Sequence, residues 1–219
     1  IEFYDKIAYI EEHFEEEKDV LVQKLQMLAH KLFRADNMMI SYTAAKEGLN
    51  DMEELVEGLK EAMFEDPVED TRCVLHCEMK NEGFKTASKV QYVARVGNFI
   101  DNGADYTGAL QILKVILSYD YLWINLRVKG GAYGCMSGFS RTGEGYFVSY
   151  RDPNLERTME VYEGIADYLR NFTVSDRDMN KYIIGTMSNI DQPMTPSAKG
   201  DRSFNLYMNK VSAETIKKE

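Results

Sequence analysis

Apolar positions in the first part of the chain recur at helical spacing. Leu21, Leu25, Leu28 and Leu32 follow at intervals of four, three and four, laying one stripe along a helix predicted over residues 4–33. The run EEHFEEEKD within it reads as a solvated face. Residues 37–43 (NMMISYT) read as a strand, and residues 51–64 as an acidic amphipathic helix that Glu65-Asp66-Pro67 ends. From residue 71 to 100 the period falls to two. Cys73, Leu75, Cys77 and Met79 share one face, and Val90, Tyr92, Ala94 and Val96 repeat the pattern.

Helical periodicity returns after Thr107, a candidate cap, where ALQILKVIL is apolar nearly all round and predicts a buried helix. The pattern continues through YDYLWINLRVK and stops at Gly130-Gly131. Residues 132–140 and 146–150 read as two strands of a hairpin turning through RTGEG. Asp152 is then a candidate N-cap with Pro153 at the first helical position, and Leu155, Met159, Tyr162, Ala166 and Leu169 form the stripe of the helix that follows. Ser175 and Asp178 suit a capping box, Thr195-Pro196 opens a further helix, and Ser212 caps a last one. Long helices mixed with hairpins predict an α/β (α+β) sandwich, with a mixed, largely antiparallel sheet under a helical layer.

Composition narrows the function. The net charge of −10, from 36 acidic and 26 basic residues, repels phosphate backbones and anionic lipid, so neither nucleic acid nor a membrane is expected as a partner. No apolar run approaches the ~20 residues of a membrane span. Three cysteines argue against a disulfide framework and for a reducing compartment, the cytoplasm or an organelle matrix. The first residue is not Met and the last ones read as a helix just starting, so a piece of a longer protein is expected.

Two metal candidates fail on ligand geometry. Cys73 and Cys77 would share one strand face and His76 the other, with no second Cys/His cluster to close a four-ligand shell. The run His13-Phe14-Glu15-Glu16-Glu17 is one residue short of H-x-x-E-H, with Glu17 in place of the second histidine, and an acidic helix makes such a match easily. No phosphate-binding glycine loop and no G-x-S-x-G elbow occurs.

The stretch LRVKGGAYG stands apart. As a helix end, it offers Gly130 or Gly131 for a left-handed residue, Arg127 and Lys129 to the C-terminal dipole, and Tyr133 to the next strand. As a site, it folds the Arg127 guanidinium and the Tyr133 phenol toward one region, where they suit a peptide carbonyl or a developing oxyanion. The residues alone support both readings equally.

RVKGGAYG, FVSYRDPNL with Thr158 beyond it, and KYIIGTMSNIDQPMTPSAKG together resemble the presequence-protease branch of the pitrilysin/insulinase metallopeptidases, and NEGFKTASKVQYVARVGNF and the helix before Arg127 strengthen the likeness over residues 81–200. The resemblance implies a clamshell of two homologous halves. The N-terminal half carries H-x-x-E-H and binds zinc, and the C-terminal half closes over an unstructured peptide. Residues 1–34 would then be a helical segment from the preceding domain and residues 35–219 the C-terminal α/β domain, truncated at its C-terminus, with the N-terminal half of the same polypeptide as its partner. Arg127 and Tyr133 match the family's substrate-holding pair at this branch's spacing of six, with Gly130 and Gly131 between them. The zinc motif is absent here, so a fragment inactive alone is expected. A non-catalytic homologue that holds peptides or serves as a structural subunit is the alternative, and a small metal module at Cys73, His76 and Cys77 a further one.

Overall fold

The computed structural model describes residues 1–67 and 78–219. Its helices are α1 (Glu2–Glu12), α2 (Phe14–Leu32), α3 (Leu49–Glu61), α4 (Ala109–Ile116), α5 (Glu156–Glu163), α6 (Ile165–Arg170), α7 (Asp176–Ile190), α8 (Pro196–Met208) and α9 (Ala213–Lys218), and its strands are β1 (Gln91–Asn98), β2 (Gly134–Phe139) and β3 (Glu144–Asp152). A π-helix over Leu117–Val128 continues α4. The chain forms two compact units, one of residues 1–85 and 194–209, the other of residues 86–193 and 210–219.

In the first unit the expected long helix is two helices that break at His13, whose ring stacks on Tyr9 at 4.4 Å and meets its carbonyl at 3.0 Å. The leucine stripe exists but lies open: Leu25, Leu28 and Leu32 are exposed, and α1, α2, α3 and α8 bury no residue. Residues 38–43 form no strand, contrary to expectation; a 3₁₀ turn at Ala35–Asn37 precedes them. Thr195 caps α8 as expected, its hydroxyl accepting from the Ala198 N–H at 3.2 Å with Pro196 in the first turn.

The second unit is an α+β layer structure. Its three strands lie in the order β1-β3-β2, antiparallel throughout. The expected hairpin is present, with Gly143 at φ 95° in the turn between β2 and β3. The π-helix packs on β2 and α5 on β1, and between them lies the core of Val93, Leu117, Leu122, Leu126, Ala132, Tyr162 and Ile165. Leu117, Leu122 and Leu126 are spaced by five and then four, which suits the wider i→i+5 turn of a π-helix rather than a 3.6-residue period. Lys129 N–H donates to the Ile124 carbonyl, five residues back, at 3.0 Å.

Three local expectations are corrected here. β1 forms as expected, but its burial does not alternate: Val93 alone is buried, while Tyr92, Ala94 and Val96 are exposed. Thr107 does not cap α4 with its side chain; its carbonyl accepts from the Leu110 N–H. Asp152 is not the N-cap of α5, which begins at Glu156. Of the expected stripe, Tyr162 is buried and Met159 and Leu169 pack on the core, whereas Leu155 and Ala166 are exposed and Ile165 is buried where Gly164 interrupts the helix before α6. Ser175 and Ser212 do cap α7 and α9, accepting from Asp178 and Thr215 N–H groups. The strand expected around residues 71–79 lies mostly outside the described residues, and no strand forms at residues 78–80.

Candidate functional site

The π-helix ends at a corner made by two glycines with different duties. Gly131 sits at φ 80°, the left-handed region that a β-carbon disfavours, and its N–H donates to the Arg127 carbonyl at 3.0 Å. The next N–H, of Ala132, donates to the Leu126 carbonyl at 2.9 Å. Gly130 has no left-handed φ. A β-carbon there would lie 2.4 Å from the Leu126 carbonyl oxygen and 2.9 Å from that of Asn125. Gly131 is therefore needed for its backbone angle and Gly130 for its lack of bulk.

This corner carries Arg127 and Tyr133 to one place. The Arg127 guanidinium carbon lies 4.1 Å from the ring centre of Trp123, one turn earlier, and 5.9 Å from that of Tyr133. Leu126 and Ala132, next to each of them in sequence, are buried and anchor both to the core. Tyr133 itself is 57% exposed, and its N–H donates to the Tyr150 carbonyl at 3.2 Å. Elsewhere Arg34, Arg95, Arg141 and Arg170 each hold a carboxylate, whereas Arg127 holds none among the described residues. A free guanidinium and an exposed phenol side by side form a cluster of hydrogen-bond donors aimed outward.

Behind the corner lies a buried polar network. Asp152 is fully buried, and its carboxyl oxygens accept from the Ser149 hydroxyl at 2.6 Å, the Thr158 hydroxyl at 2.6 Å and the Asn154 N–H at 2.9 Å. Asn154 in turn donates from Nδ2 to the Gly130 carbonyl at 2.6 Å, and Arg157 donates to the Lys129 carbonyl at 2.8 Å. The loop after β3, through Asn154, and the first turn of α5, through Arg157, thus tie down the Gly130 and Lys129 carbonyls. Such a satisfied network fixes a single geometry, since any broken bond leaves a buried polar group without a partner.

Cys135, two residues beyond Tyr133, is a free thiol, and burial pushes its pKa up to about 11, against the pull of Arg127 and with Asp152 adding to the rise. It stays protonated at neutral pH and has no thiolate character to lend a nucleophile. Burial likewise pushes Tyr162 up to about 12; its hydroxyl donates to the Val93 carbonyl at 3.2 Å and serves the core.

The other sequence candidates do not join this site. Cys73, His76 and Cys77 lie outside the described residues. His13 sits at the α1–α2 break, and among the described residues no three His, Cys, Asp or Glu side chains cluster as metal ligands. Sequence reasoning missed Trp123, Asn154 and Arg151. Trp123 had a signal, its spacing of four from Arg127, while the other two act through contacts between segments far apart in sequence.

Residues 81–219, well over half of the chain, match the family described as the PreP C-terminal domain. The chain belongs to that family. The match includes the corner, the network and the whole sheet. The chain is 40% identical over 219 residues to Protein HypA of Clostridium perfringens, covering 100% of the chain and 22% of that relative. It is 29% identical over 220 residues to the chloroplastic/mitochondrial presequence protease 1 of Arabidopsis thaliana, covering 98% of the chain and 20% of the relative. With the mitochondrial presequence protease of Xenopus tropicalis it shares 30% identity over 142 residues, 65% of the chain and 13% of the relative. The chain spans about a fifth of the length of the first two relatives. It is a presequence-protease-type C-terminal piece of the peptidase family.

Proposed function

We propose that the chain is the substrate-holding C-terminal part of a zinc metalloendopeptidase that degrades short unstructured peptides. The observation that carries this reading is the convergence of a guanidinium, unpaired among the described residues, and an exposed phenol at a corner fixed by two glycines and a buried network. In this reading the metal and its general base belong to the N-terminal half of the same polypeptide; among the described residues no three His, Cys, Asp or Glu side chains cluster as metal ligands. The relatives named presequence proteases support a peptidase as the whole protein.

The work of this chain's own residues follows from their chemistry. The Tyr133 O–H and the Arg127 N–H groups donate to backbone carbonyls of the peptide and hold it extended. Donors already placed where negative charge develops on a carbonyl oxygen need no reorganisation, and each is worth about 10²–10³ in rate. Stacking on Trp123 preorients Arg127 at a cost in flexibility met before the peptide arrives. The setting is a reducing compartment, the cytoplasm or an organelle matrix, in keeping with the mitochondrial and chloroplastic names of two relatives and with the free Cys135. Among the described residues no helix is long and apolar enough to cross a membrane.

The test uses fluorogenic unstructured peptides with the complete polypeptide and with the 219-residue chain. Chelator-sensitive cleavage by the complete polypeptide and none by the chain alone is expected. Peptide binding without cleavage in the complete polypeptide would instead establish the alternative, a peptide-holding homologue without catalysis. Chelator-sensitive cleavage by the chain alone would overturn the assignment of zinc to another part.

A further inference from the structure

Beside the Arg127–Tyr133 pair stands a second guanidinium that the reading above leaves unused. Arg151 adopts φ 47°, a left-handed conformation on a residue that is not glycine. That conformation is strained for a residue with a β-carbon and persists only where the surroundings enforce it. The enforcement is visible in the sheet. β1 advances two residues, from Gln91 to Val93, while β3 advances three between their partners, Asp152 and Ser149. β3 therefore bulges at its end, and the bulge reverses the alternation of its last side chains. With Ser149 buried, regular pleating would send Arg151 inward and Asp152 outward. Instead Asp152 is fully buried, held by Ser149, Thr158 and the Asn154 N–H, and Arg151 is exposed.

The result of this distortion is specific. The Arg151 guanidinium carbon comes within 5.3 Å of the ring centre of Tyr133, the same ring that Arg127 approaches at 5.9 Å. Like Arg127, Arg157, Arg177 and Arg202, it holds no carboxylate among the described residues, whereas Arg34, Arg95, Arg141 and Arg170 do; of the unpaired ones Arg127 and Arg151 share the Tyr133 ring. One guanidinium beside the phenol suffices to hold a neutral carbonyl. A second one, brought there through a bulge and backbone strain, adds positive charge that no acid among the described residues answers. Bulges beside functional sites commonly re-aim a side chain in this way.

We propose that Arg151 forms an anion-binding subsite next to the Arg127–Tyr133 corner and takes a carboxylate of the bound peptide. The carboxylate is that of an Asp or Glu side chain or of the free C-terminus, close in sequence to the carbonyl that Tyr133 holds. The proposal rests on the reading that Arg127 and Tyr133 hold the peptide. Arg151 then makes the protein prefer peptides with a negative group at that place, because a planar two-pronged donor pairs with a carboxylate far better than with an amide.

Matched fluorogenic peptides test this with the complete polypeptide. One set exchanges Glu for Gln position by position around the cleaved bond, and a second ends in a free carboxylate or in an amide. The wild type is expected to prefer one carboxylate-bearing peptide over its neutral counterpart by about tenfold in kcat/KM, the scale of one charge-assisted hydrogen bond. The set that shows the preference tells a side-chain carboxylate from a terminal one. Arg151→Gln should bring that ratio to about one, with the loss concentrated on the carboxylate-bearing peptide, and Arg151→Lys should retain part of it. Arg151→Gly, which accepts the left-handed φ without strain, should give the same loss of discrimination and guards against a folding failure of the Gln variant. No preference in the wild type, or an equal loss on charged and neutral peptides in Arg151→Gln and Arg151→Gly, would overturn the subsite and leave Arg151 as a prop for the Tyr133 ring. The underlying reading fails separately: Arg127→Lys and Tyr133→Phe would then leave cleavage of the neutral peptides untouched.

Discussion

Replacing each glycine of the corner by alanine separates their two duties. At Gly131 the added β-carbon meets only Pro153 Cγ, at 3.5 Å, an ordinary contact. The cost is then the left-handed angle alone, about 1–2 kcal/mol. The stiffer unfolded chain of the alanine variant offsets part of this cost, so the net loss should lie toward the lower end of that range. At Gly130 the angle is not left-handed, but the β-carbon would fall 2.4 Å from the Leu126 oxygen. That oxygen accepts the Ala132 N–H and cannot retreat without opening the corner. Losing this bond and straining its neighbours should cost about 2–4 kcal/mol, more than at Gly131. Urea denaturation measures the loss, and the emission of Trp123, the chain's single tryptophan and the partner of Arg127, reports the corner locally. Gly130→Ala should change that emission in the folded state, and Gly131→Ala much less. Equal or greater stability for Gly130→Ala than for Gly131→Ala would refute the steric argument.

Asp152→Ala should destabilise by at least about 3 kcal/mol, since two buried hydroxyls and one N–H lose their acceptor and bonds of this kind are worth about 1.5–3 kcal/mol each when the acceptor is charged; a loss under 1 kcal/mol in urea denaturation would show the network to be dispensable. The Cys135 thiol binds its proton more tightly when folded, to about 11 against a usual 9.0, so above pH 9 the unfolded chain holds fewer protons and stability should fall as pH rises toward 11. Cys135→Ala should flatten that fall, and alkylation at Cys135, read site by site among the three cysteines, should be slow at pH 8 while the fold holds; rapid labelling of Cys135 in folded protein would contradict the raised pKa.

What the sequence made legible was local. Ser175, Thr195 and Ser212 cap α7, α8 and α9 because a cap and its N–H partner lie three residues apart. The β2–β3 hairpin was legible for the same reason, through the glycines of its turn. What failed depended on distant segments. The strand β1 was readable but its buried face was not, because α5 and the rest of the core decide that Val93 rather than Tyr92 is covered. Asp152 reads as a helix cap in sequence, yet the hydroxyls of Ser149 and Thr158 draw it into the core and delay the helix to Glu156. The π-helix left a trace in the spacing of Leu117, Leu122 and Leu126, which a search for a 3.6-residue period passes over. The Arg127–Tyr133 pair was visible as a motif, whereas Arg151 emerges only when β1 sets the register of β3.

The central claim is that Arg127 and Tyr133 grip the peptide backbone, and Tyr133→Phe in the complete polypeptide tests it most directly. The change removes one hydroxyl and leaves the ring between Arg127 and Arg151. Steady-state kinetics on an unstructured neutral peptide should show kcat reduced about 10²–10³-fold if the hydroxyl meets developing charge. A raised KM with kcat preserved would place its contact in the ground state instead. Folding and metal content should be those of the wild type in either case. Wild-type kcat and KM in both Tyr133→Phe and Arg127→Lys, in soluble folded protein, would contradict the account and return the corner to the role of a helix end.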